Sequence, residues 1–580
     1  MEHKIVKNLV RALLIPAIVL CALSSAHAQT TKFNAVGSSA MFLELGEAAY
    51  TANYSTVANA APACVWSGAG AKATDTSTGT SLTDSGNAFV VWVPAISGNI
   101  LGSTGKVLGH TYYACSDATQ PTPTKVYGYL QTDSVVGNRC FFNAINSASC
   151  TLSYPSTTPT NANLIATAKN LIVEVPLPPS VAATLNGLPN AAGTDIRPED
   201  AEFATTRALT PCGATEYTSG GTTYSIAPFL GLGYNPGDKI HDGFGAGKSF
   251  NVIPFTLSAS YNVQSVGIDP MIVAINSTDA VGTGLNDTHI TSISRLQLAQ
   301  FLDGSVGSSA ALIPVGIANV DQPVTTIIRE PLSGTYNTME YNVPASRMLQ
   351  TSQDVGVLQP AAQQNCSGSS VGSYSLNAPA QGEGTRIRAI GTGQEISKIL
   401  ATNDSLGYAF WGVTNFAAAG SSTRYLAVDG IDPLHASYLG GAIPTAAGTT
   451  SATLLSNITF YNLKNGTYPI WSMVRLVTAD PVSAANAKIL AIGAAKYSSP
   501  STSPDFVSYY NTLGAVNVHV VRSHFTPPGI NFTATPANGF CSAAEVGGDV
   551  GGVIIPNVQN FETAYCTDTT STTGVTGRRY

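Results

Sequence analysis

Charge is what this sequence has least of. Charged residues make up 11% of its 580 residues, against about 25% in ordinary soluble proteins. The net charge is −7, and no basic stretch is present that could replace the counterions of a nucleic acid. Nucleic-acid binding is therefore excluded. The apolar share of 44% is enough for a large core and excludes general disorder.

Two further features are missing. The sequence has no CxxC pair, which argues against a zinc ribbon or a thioredoxin-like redox site. After its N-terminal segment it also has no run of about 20 apolar residues, the length that a membrane-spanning helix requires. We therefore expect a mature chain without a transmembrane segment.

The N-terminus has the three parts of a secretory signal peptide. Basic residues come first, an apolar run over 13–23 follows, and Ala26-His27-Ala28 fits the small-x-small cleavage rule. An uncleaved membrane anchor is the alternative, but the run is short and Pro16 interrupts it. We predict a signal peptide over 1–28, cleavage near Ala28, and a periplasmic or extracellular location.

Cysteine usage agrees with export. Cys21 lies inside the predicted signal peptide, and Leu20 before it departs from the lipid-attachment pattern. An even number of remaining cysteines in an exported chain indicates disulfides, although eight cysteines allow 105 pairings. The short spacings favour the pairs Cys140–Cys150 and Cys541–Cys566. The disulfide candidates are Cys64, Cys115, Cys140, Cys150, Cys212, Cys366, Cys541 and Cys566.

Strand and helix patterns alternate along the chain, which predicts an α/β fold. The run Ala88–Val93 is typical of a buried strand, and the segment 198–207 is typical of a helix that begins at a proline. Ser294 with Gln297 forms a capping-box pattern, and Gly304 stands where that helix should end. The apolar run 266–276 contains Pro270, which indicates an edge or crossover strand.

The sharpest candidate for chemistry is the spacing Arg329-x-x-x-Ser333-Gly334-Thr335 after an apolar strand. A helix that begins here would present free N–H groups and its positive dipole end to an anion. Arg329 would add a planar fork that suits a tetrahedral oxyanion. An ordinary helix cap with a surface arginine is the alternative reading of this segment.

Three more turns carry polar groups where a predicted strand leads into a predicted helix. They are Gly37-Ser38-Ser39-Ala40, Asp133-Ser134 and Thr194-Asp195. In open α/β sheets, ligands bind outside the carboxyl ends of the strands, which is where such turns lie. Together with Arg329 they predict an enclosed oxyanion site.

These segments resemble, in order, the phosphate-binding protein of the high-affinity phosphate ABC transporter, a periplasmic receptor with the two-lobed type II fold. The resemblance covers roughly residues 33–480 of this sequence. It rests on Val36–Ala40, Thr194-Asp195, Val266–Asn276, Ile293–Gly304, Arg329–Thr335, Leu406-Gly407-Tyr408 and Tyr468-Pro469-Ile470; the match at Asp133-Ser134 is looser.

The resemblance implies two lobes with a ligand cleft between them. Lobe 1 would begin with 29–262, which includes loop and β insertions at 67–125 and 208–250. Lobe 2 would span 263–400, the chain would return to lobe 1 over 401–480, and 481–580 would form a C-terminal extension.

The resemblance also implies a ligand set. Asp195 would accept a proton from the bound phosphate, and sulfate would be rejected because it has no proton to give. Family members carry an Asp two residues after the ligand arginine, and here that position is Pro331. The implied ligand-binding residues are Ser39, Ala40, Ser134, Asp195, Arg329, Ser333, Gly334 and Thr335.

The expected function is capture of phosphate or a similar tetrahedral oxyanion for an ABC transporter permease, with neither enzyme activity nor a cofactor. The alternative is a secreted or cell-surface structural or interaction protein on the same fold, which Pro331 and the insertions favour. A phosphate-ester hydrolase is disfavoured because we find no nucleophile–base pair and no metal cluster. The Gly-x-Ser-x-Gly pattern at 368–372 lies in a polar stretch without the strand and helix that such a motif needs.

Overall fold

The computed structural model describes most of the chain up to residue 514. The predicted signal peptide and four of the cysteine candidates (Cys212, Cys366, Cys541 and Cys566) lie outside the described residues. The described residues are 31–53, 60–75, 80–81, 86–156, 174–211, 214, 216–219, 222–225, 231–242, 249–343, 353, 384–413, 415–445, 449–464, 467–497, 505–511 and 513–514.

Strands and helices alternate, as the patterns predict. The strands are β1 (Thr31–Ser38), β2 (Cys64–Gly68), β3 (Lys72–Asp75), β4 (Thr80–Ser81), β5 (Ala88–Val93), β6 (Ile96–Leu101), β7 (Val107–Tyr112), β8 (Lys125–Thr132), β9 (Cys150–Ser153), β10 (Ala191–Thr194), β11 (Glu216–Ser219), β12 (Thr222–Ser225), β13 (Lys239–His241), β14 (Ser249–Asn251), β15 (Asn262–Asn276), β16 (Ser292–Ile293), β17 (Thr325–Arg329), β18 (Thr385–Ala389), β19 (Ser405–Phe410), β20 (Thr423–Val428), β21 (Trp471–Thr478) and β22 (Val507–Ser508). The α-helices are α1 (Phe42–Asn53), α2 (Ser134–Ser147), α3 (Pro179–Leu185), α4 (Pro198–Leu209), α5 (Arg295–Asp303), α6 (Gly334–Asn342), α7 (Thr392–Ala401), α8 (Thr449–Ser456), α9 (Tyr461–Lys464) and α10 (Pro481–Tyr497).

A large mixed sheet organises the chain. Its path runs β18-β17-β19-β15-β21-β10-β1-β8-β5-β2. The strand β1 pairs in parallel with β8 and β10, and β17 pairs in parallel with β18 and β19. The remaining pairs on this path are antiparallel. The α/β class is therefore confirmed, and a helix follows each of the parallel strands β1, β8, β10, β17 and β18.

The long strand β15 changes partners along its length. Its first part pairs with β21, and its last part, from Met271 onward, pairs with β19. Pro270 lies where this change occurs, so its missing N–H removes no bond from the β19 ladder. The crossover reading of this segment is correct, and β15 is a central strand of the sheet.

Helix signals in the sequence work as predicted at α5. The Ser294 hydroxyl accepts a hydrogen bond from the Gln297 amide at 3.1 Å, and the Gln297 side chain accepts one from the Ser294 amide at 2.9 Å. Gly304 ends the helix in the left-handed conformation, with φ of 78°. This reciprocal capping box satisfies N–H groups that a helix start otherwise leaves open.

The apolar residues form three buried clusters beside the sheet. Trp66, Trp92, Trp411 and Trp471 are at most 1% exposed and belong to the core. Helix α10 packs on α1 so closely that a Cβ at Gly493 would overlap the carbonyl oxygen of Ala48. The first part of the segment after residue 480 therefore packs on the body of the protein.

Two disulfides lie among the described residues. The bridge Cys140–Cys150, predicted from its local spacing, is present. The second bridge joins Cys64 to Cys115 across 51 residues, a pairing that spacing does not single out. It ties β2 to the segment after the β6–β7 hairpin.

One histidine is buried among partners that favour its charged form. His435 is 2% exposed, its Nδ1 lies 3.0 Å from the Tyr425 hydroxyl, and its Nε2 lies 3.0 Å from the Leu454 carbonyl. Burial by itself lowers the pKa of His435, but bonds to Asp432 and to the Leu454 carbonyl together raise the pKa above its ordinary value.

We expect His435 to make stability depend on pH. Because its folded pKa is raised, its contribution is complete below the unfolded value of about 6.5 and is lost as the pH rises through the folded pKa. The loss should be roughly 1.5–3 kcal/mol, the net contribution of one hydrogen bond to a charged group. Denaturant midpoints measured across this range should fall for the wild type and stay level for His435→Gln. Equal slopes in the wild type and in His435→Gln would show that His435 does not carry the effect.

No helix in the described part of the chain is both long enough and apolar enough to cross a membrane. Within the same residues, no group of three or more His, Cys, Asp or Glu side chains could hold a metal ion.

Candidate functional site

Five strand ends of the sheet bring polar side chains to one place. The ends of β1, β8 and β10 lead into Ser39, Asp133-Ser134 and Asp195, and the ends of β17 and β18 lead into Arg329 and Thr392. The parallel strands β1, β8 and β10 end on one edge, and so do the parallel strands β17 and β18. Three antiparallel pairs lie between the two groups, so the groups run in opposite directions and their carboxyl ends meet, as the contact between Asp133 and Arg329 shows. All of these residues are at most 9% exposed.

Arg329 lies at the centre of this cluster and is 0% exposed. Its Nε donates to Glu330 at 3.1 Å, and its Nη2 donates to Glu330 at 3.2 Å and to Asp133. Its Nη1 donates to Thr392 at 2.9 Å and to Thr335 at 3.3 Å. A guanidinium has five N–H donors, so every one of them has a partner in this arrangement.

Three carboxylates surround the Arg329 guanidinium, and none of them is at position 331, which is Pro331. Glu330 takes two of the Arg329 donors and Asp133 takes a third. Glu395, from the first turn of α7, lies 3.7 Å from Nη1. Burial alone lowers the pKa of Arg329, but these three carboxylates raise the pKa well above its usual range.

Asp195 faces the beginning of α6. The Ser134 hydroxyl donates to its Oδ1, and the Asp195 amide donates to the Ser134 oxygen at 3.3 Å. A Cβ on Gly334 would overlap the Asp195 carboxylate and would lie 2.7 Å from the Ser134 oxygen. Burial raises the pKa of Asp195, more than the Ser134 hydroxyl and the Arg329 charge lower it.

The first turn after β1 reaches Arg329 through one hydroxyl. The oxygens of Ser39 and Thr392 lie 2.7 Å apart, and Thr392 also accepts from Arg329. The Ala40 amide donates to the Ser38 hydroxyl at 3.2 Å. The predicted backbone donor Ala40 is therefore bonded within its own turn, next to Ser39.

Two hydroxyls at the start of α6 have different roles: one caps the helix and the other contacts Arg329. The Ser333 hydroxyl accepts a bond from the Tyr336 amide at 3.3 Å, so it caps the helix. The Thr335 hydroxyl instead accepts from Arg329. The structure thus gathers Ser39, Ser134, Asp195, Arg329, Gly334 and Thr335 by direct contact or through Thr392, with Ser333 and Ala40 directly beside them.

Three residues of the cluster were missed by sequence reasoning: Glu330, Thr392 and Glu395. The turn that contains Asp133 was predicted, but the contact of Asp133 with Arg329 was not. Thr392 had a detectable signal, because Gly391-Thr392-Gly393 stands between a strand and a helix as the other turns do. Gly391 has φ of 77°, a conformation that glycine adopts readily, and this turns the chain from β18 into α7.

The cluster is suited to holding an oxyanion. It combines hydroxyls, a guanidinium and the N-termini of α6 and α7, which are groups that donate hydrogen bonds to anionic oxygens. It also holds a buried carboxyl at Asp195 that can accept a proton from a ligand.

Comparison with known proteins gives a likeness at the level of solved structures. No family model and no curated protein matches the chain. An ABC-type phosphate transport receptor from Vibrio cholerae is 12% identical, with 40% of this chain and 66% of that chain covered and a TM-score of 0.22. A phosphate-binding protein from Stenotrophomonas maltophilia is 13% identical, with 63% and 76% covered and a TM-score of 0.29. These values are too low to give this chain a ligand, so its function is argued from the site.

Proposed function

We propose that the protein is an exported receptor that captures phosphate or a similar tetrahedral oxyanion and delivers it to an ABC importer. The observation that carries the proposal is the buried meeting of Arg329, Thr335 and the start of α6 with Ser134 and Asp195. The start of α6 and the hydroxyls offer hydrogen-bond donors on one side and Asp195 offers a proton acceptor on the other, which is the pattern that a protonated oxyanion requires. Arg329 would join them by exchanging its Thr335 and Thr392 partners for ligand oxygens.

Binding takes place between two lobes. Segment 29–262 supplies Ser39, Ser134 and Asp195, and segment 263–400 supplies Arg329 with the start of α6. The strands β15 and β21 run between the two groups of parallel strands, and they are where the lobes would flex. Closure removes water from the ligand, which strengthens each hydrogen bond inside the site.

Selectivity follows from Asp195. A protonated phosphate donates to its carboxylate, whereas sulfate leaves a buried carboxylate facing an oxygen without a proton. An unpaired buried polar group costs about 1–3 kcal/mol and more when it is charged. We therefore expect sulfate to bind at least roughly tenfold more weakly than phosphate, since about 1.4 kcal/mol corresponds to a factor of ten.

The test is calorimetric titration of the 29–580 chain with phosphate and with sulfate, after bound anion has been removed by unfolding and refolding. Thr335→Val removes one hydroxyl from Arg329 and keeps the shape of the side chain, so it should weaken phosphate binding several-fold. Thr335→Ser, which keeps the hydroxyl, should retain most of the affinity.

Two results would count against the proposal. Absence of heat with either anion from a folded protein would remove the receptor function and leave the alternative of an interaction protein on this fold. Equal binding of phosphate and sulfate would show that Asp195 does not read the ligand's proton.

A further inference from the structure

The candidate site is rich in acidic side chains. Arg329 is in direct contact with Asp133 and Glu330, and Glu395 lies 3.7 Å away. Their side chains are between 0% and 3% exposed, so water does little to screen them. The titratable groups that face this cluster from the elements packed around it are Asp195 after β10, Tyr408 on β19, Tyr129 on β8, Glu44 on α1 and Asp269 on β15.

The charge of Arg329 is already compensated before a ligand is considered. Glu330 and Asp133 accept from the same guanidinium, so two negative charges stand against one positive charge. Burial raises the pKa of Glu395 well above its usual range, although Arg329 opposes this. Glu330 and Asp133 by themselves outnumber the single charge of Arg329, so the described groups in direct contact with Arg329 carry a net negative charge.

A doubly charged oxyanion entering this cluster would add two negative charges to a buried region that already has an excess. A singly charged, protonated oxyanion adds one, and it brings O–H donors for carboxylates such as Asp195. On the basis of the proposed function, we propose that the site selects the singly charged, protonated form of its oxyanion, so that binding above the ligand's second ionisation takes up one proton.

The measurement is calorimetric titration with inorganic phosphate in two buffers of different ionisation heat, which gives the number of protons taken up. At about pH 8.5, well above the second ionisation of a phosphate, the expected value is one proton per ligand. The apparent affinity should then fall roughly tenfold for each pH unit of increase.

Two variants test which group is responsible for the proton uptake. Asp133→Asn keeps an oxygen that can accept from Arg329 but removes one negative charge, so it should reduce proton uptake and flatten the pH profile. Glu395→Gln cannot take a proton, so uptake should remain at one if the proton is on the ligand. Loss of uptake in Glu395→Gln would place the proton on the protein and overturn the inference.

The outcomes separate this inference from the proposed function. Tight phosphate binding without proton uptake at about pH 8.5 would overturn the selection of the protonated form and leave the receptor function in place. No phosphate binding at any pH by the folded protein would remove the receptor function itself. If the wild type and Asp133→Asn both take up one proton per ligand, the acidic surroundings of Arg329 do not select the protonated form.

Discussion

Gly334→Ala should weaken phosphate binding by about 10- to 100-fold, because overpacking a tight contact costs about 1–3 kcal/mol. The added methyl group would overlap the Asp195 carboxylate and would lie 2.7 Å from the Ser134 oxygen. Since Gly334 belongs to one proposed lobe and Asp195 to the other, the overlap would hold the lobes apart. Calorimetric titration with phosphate measures the loss.

The helix itself should tolerate the change. Gly334 is the first residue of α6 and is not among the residues with positive φ, and alanine is the better helix former. Gly393→Ala is the matched control, because Gly393 is in the first turn of α7 and a Cβ there meets nothing within 4 Å. Wild-type phosphate affinity in Gly334→Ala would show that the approach of Gly334 to Asp195 is not part of ligand binding.

Local signals in the sequence predicted the elements that surround the contact between Gly334 and Asp195. The capping box at Ser294 and the proline at the start of α4 each marked a helix start that the structure contains. The turns after β1, β8 and β10 were recognisable as well, because a strand, a polar turn and a helix follow one another within a short stretch. Such features depend on neighbours in sequence, so a single sequence reveals them.

The acidic surroundings of Arg329 could not be found in this way. Asp133 and Arg329 are 196 residues apart, and Thr392 is 63 residues from Arg329. Periodicity does not reveal which strands lie side by side, and here β10 pairs with β21 from far along the chain. The same limit applies to the disulfides, since Cys140–Cys150 spans 10 residues and Cys64–Cys115 spans 51.

Helix α10 was missed for a different reason. The family pattern ended near residue 480, so the sequence after it was assigned to an extension. The segment Pro481–Tyr497 is rich in alanine and begins with proline, which are ordinary helix signals. A family pattern therefore predicts structure only as far as it extends, and beyond residue 480 the local helix signals were the better guide.

Arg329→Met should destabilise the protein by about 3–5 kcal/mol, the usual cost of removing one partner from a buried ion pair. The variant keeps an unbranched apolar side chain but leaves the carboxylates of Asp133, Glu330 and Glu395 without their cation. Arg329→Lys keeps the charge and loses the planar fork, so it should lose less. Thermal and denaturant midpoints of the folded chains measure both changes.

The pH dependence identifies the cause of the loss. Without the guanidinium, the folded pKa of the buried carboxyls lies above the unfolded value of about 4. A carboxyl with a raised folded pKa destabilises the fold as the pH rises above the unfolded pKa, and that penalty disappears as the pH falls again. The difference in free energy of unfolding between Arg329→Met and the wild type should therefore become smaller as the pH falls from about 8 to about 5. The corresponding difference for Arg329→Lys should stay nearly constant.

If the difference for Arg329→Met does not change with pH, then lost packing, and not uncompensated charge, destabilises the variant. A difference that becomes smaller would show that the carboxylates around Arg329 require its charge, which is the premise of the proton-linked binding proposed for this site.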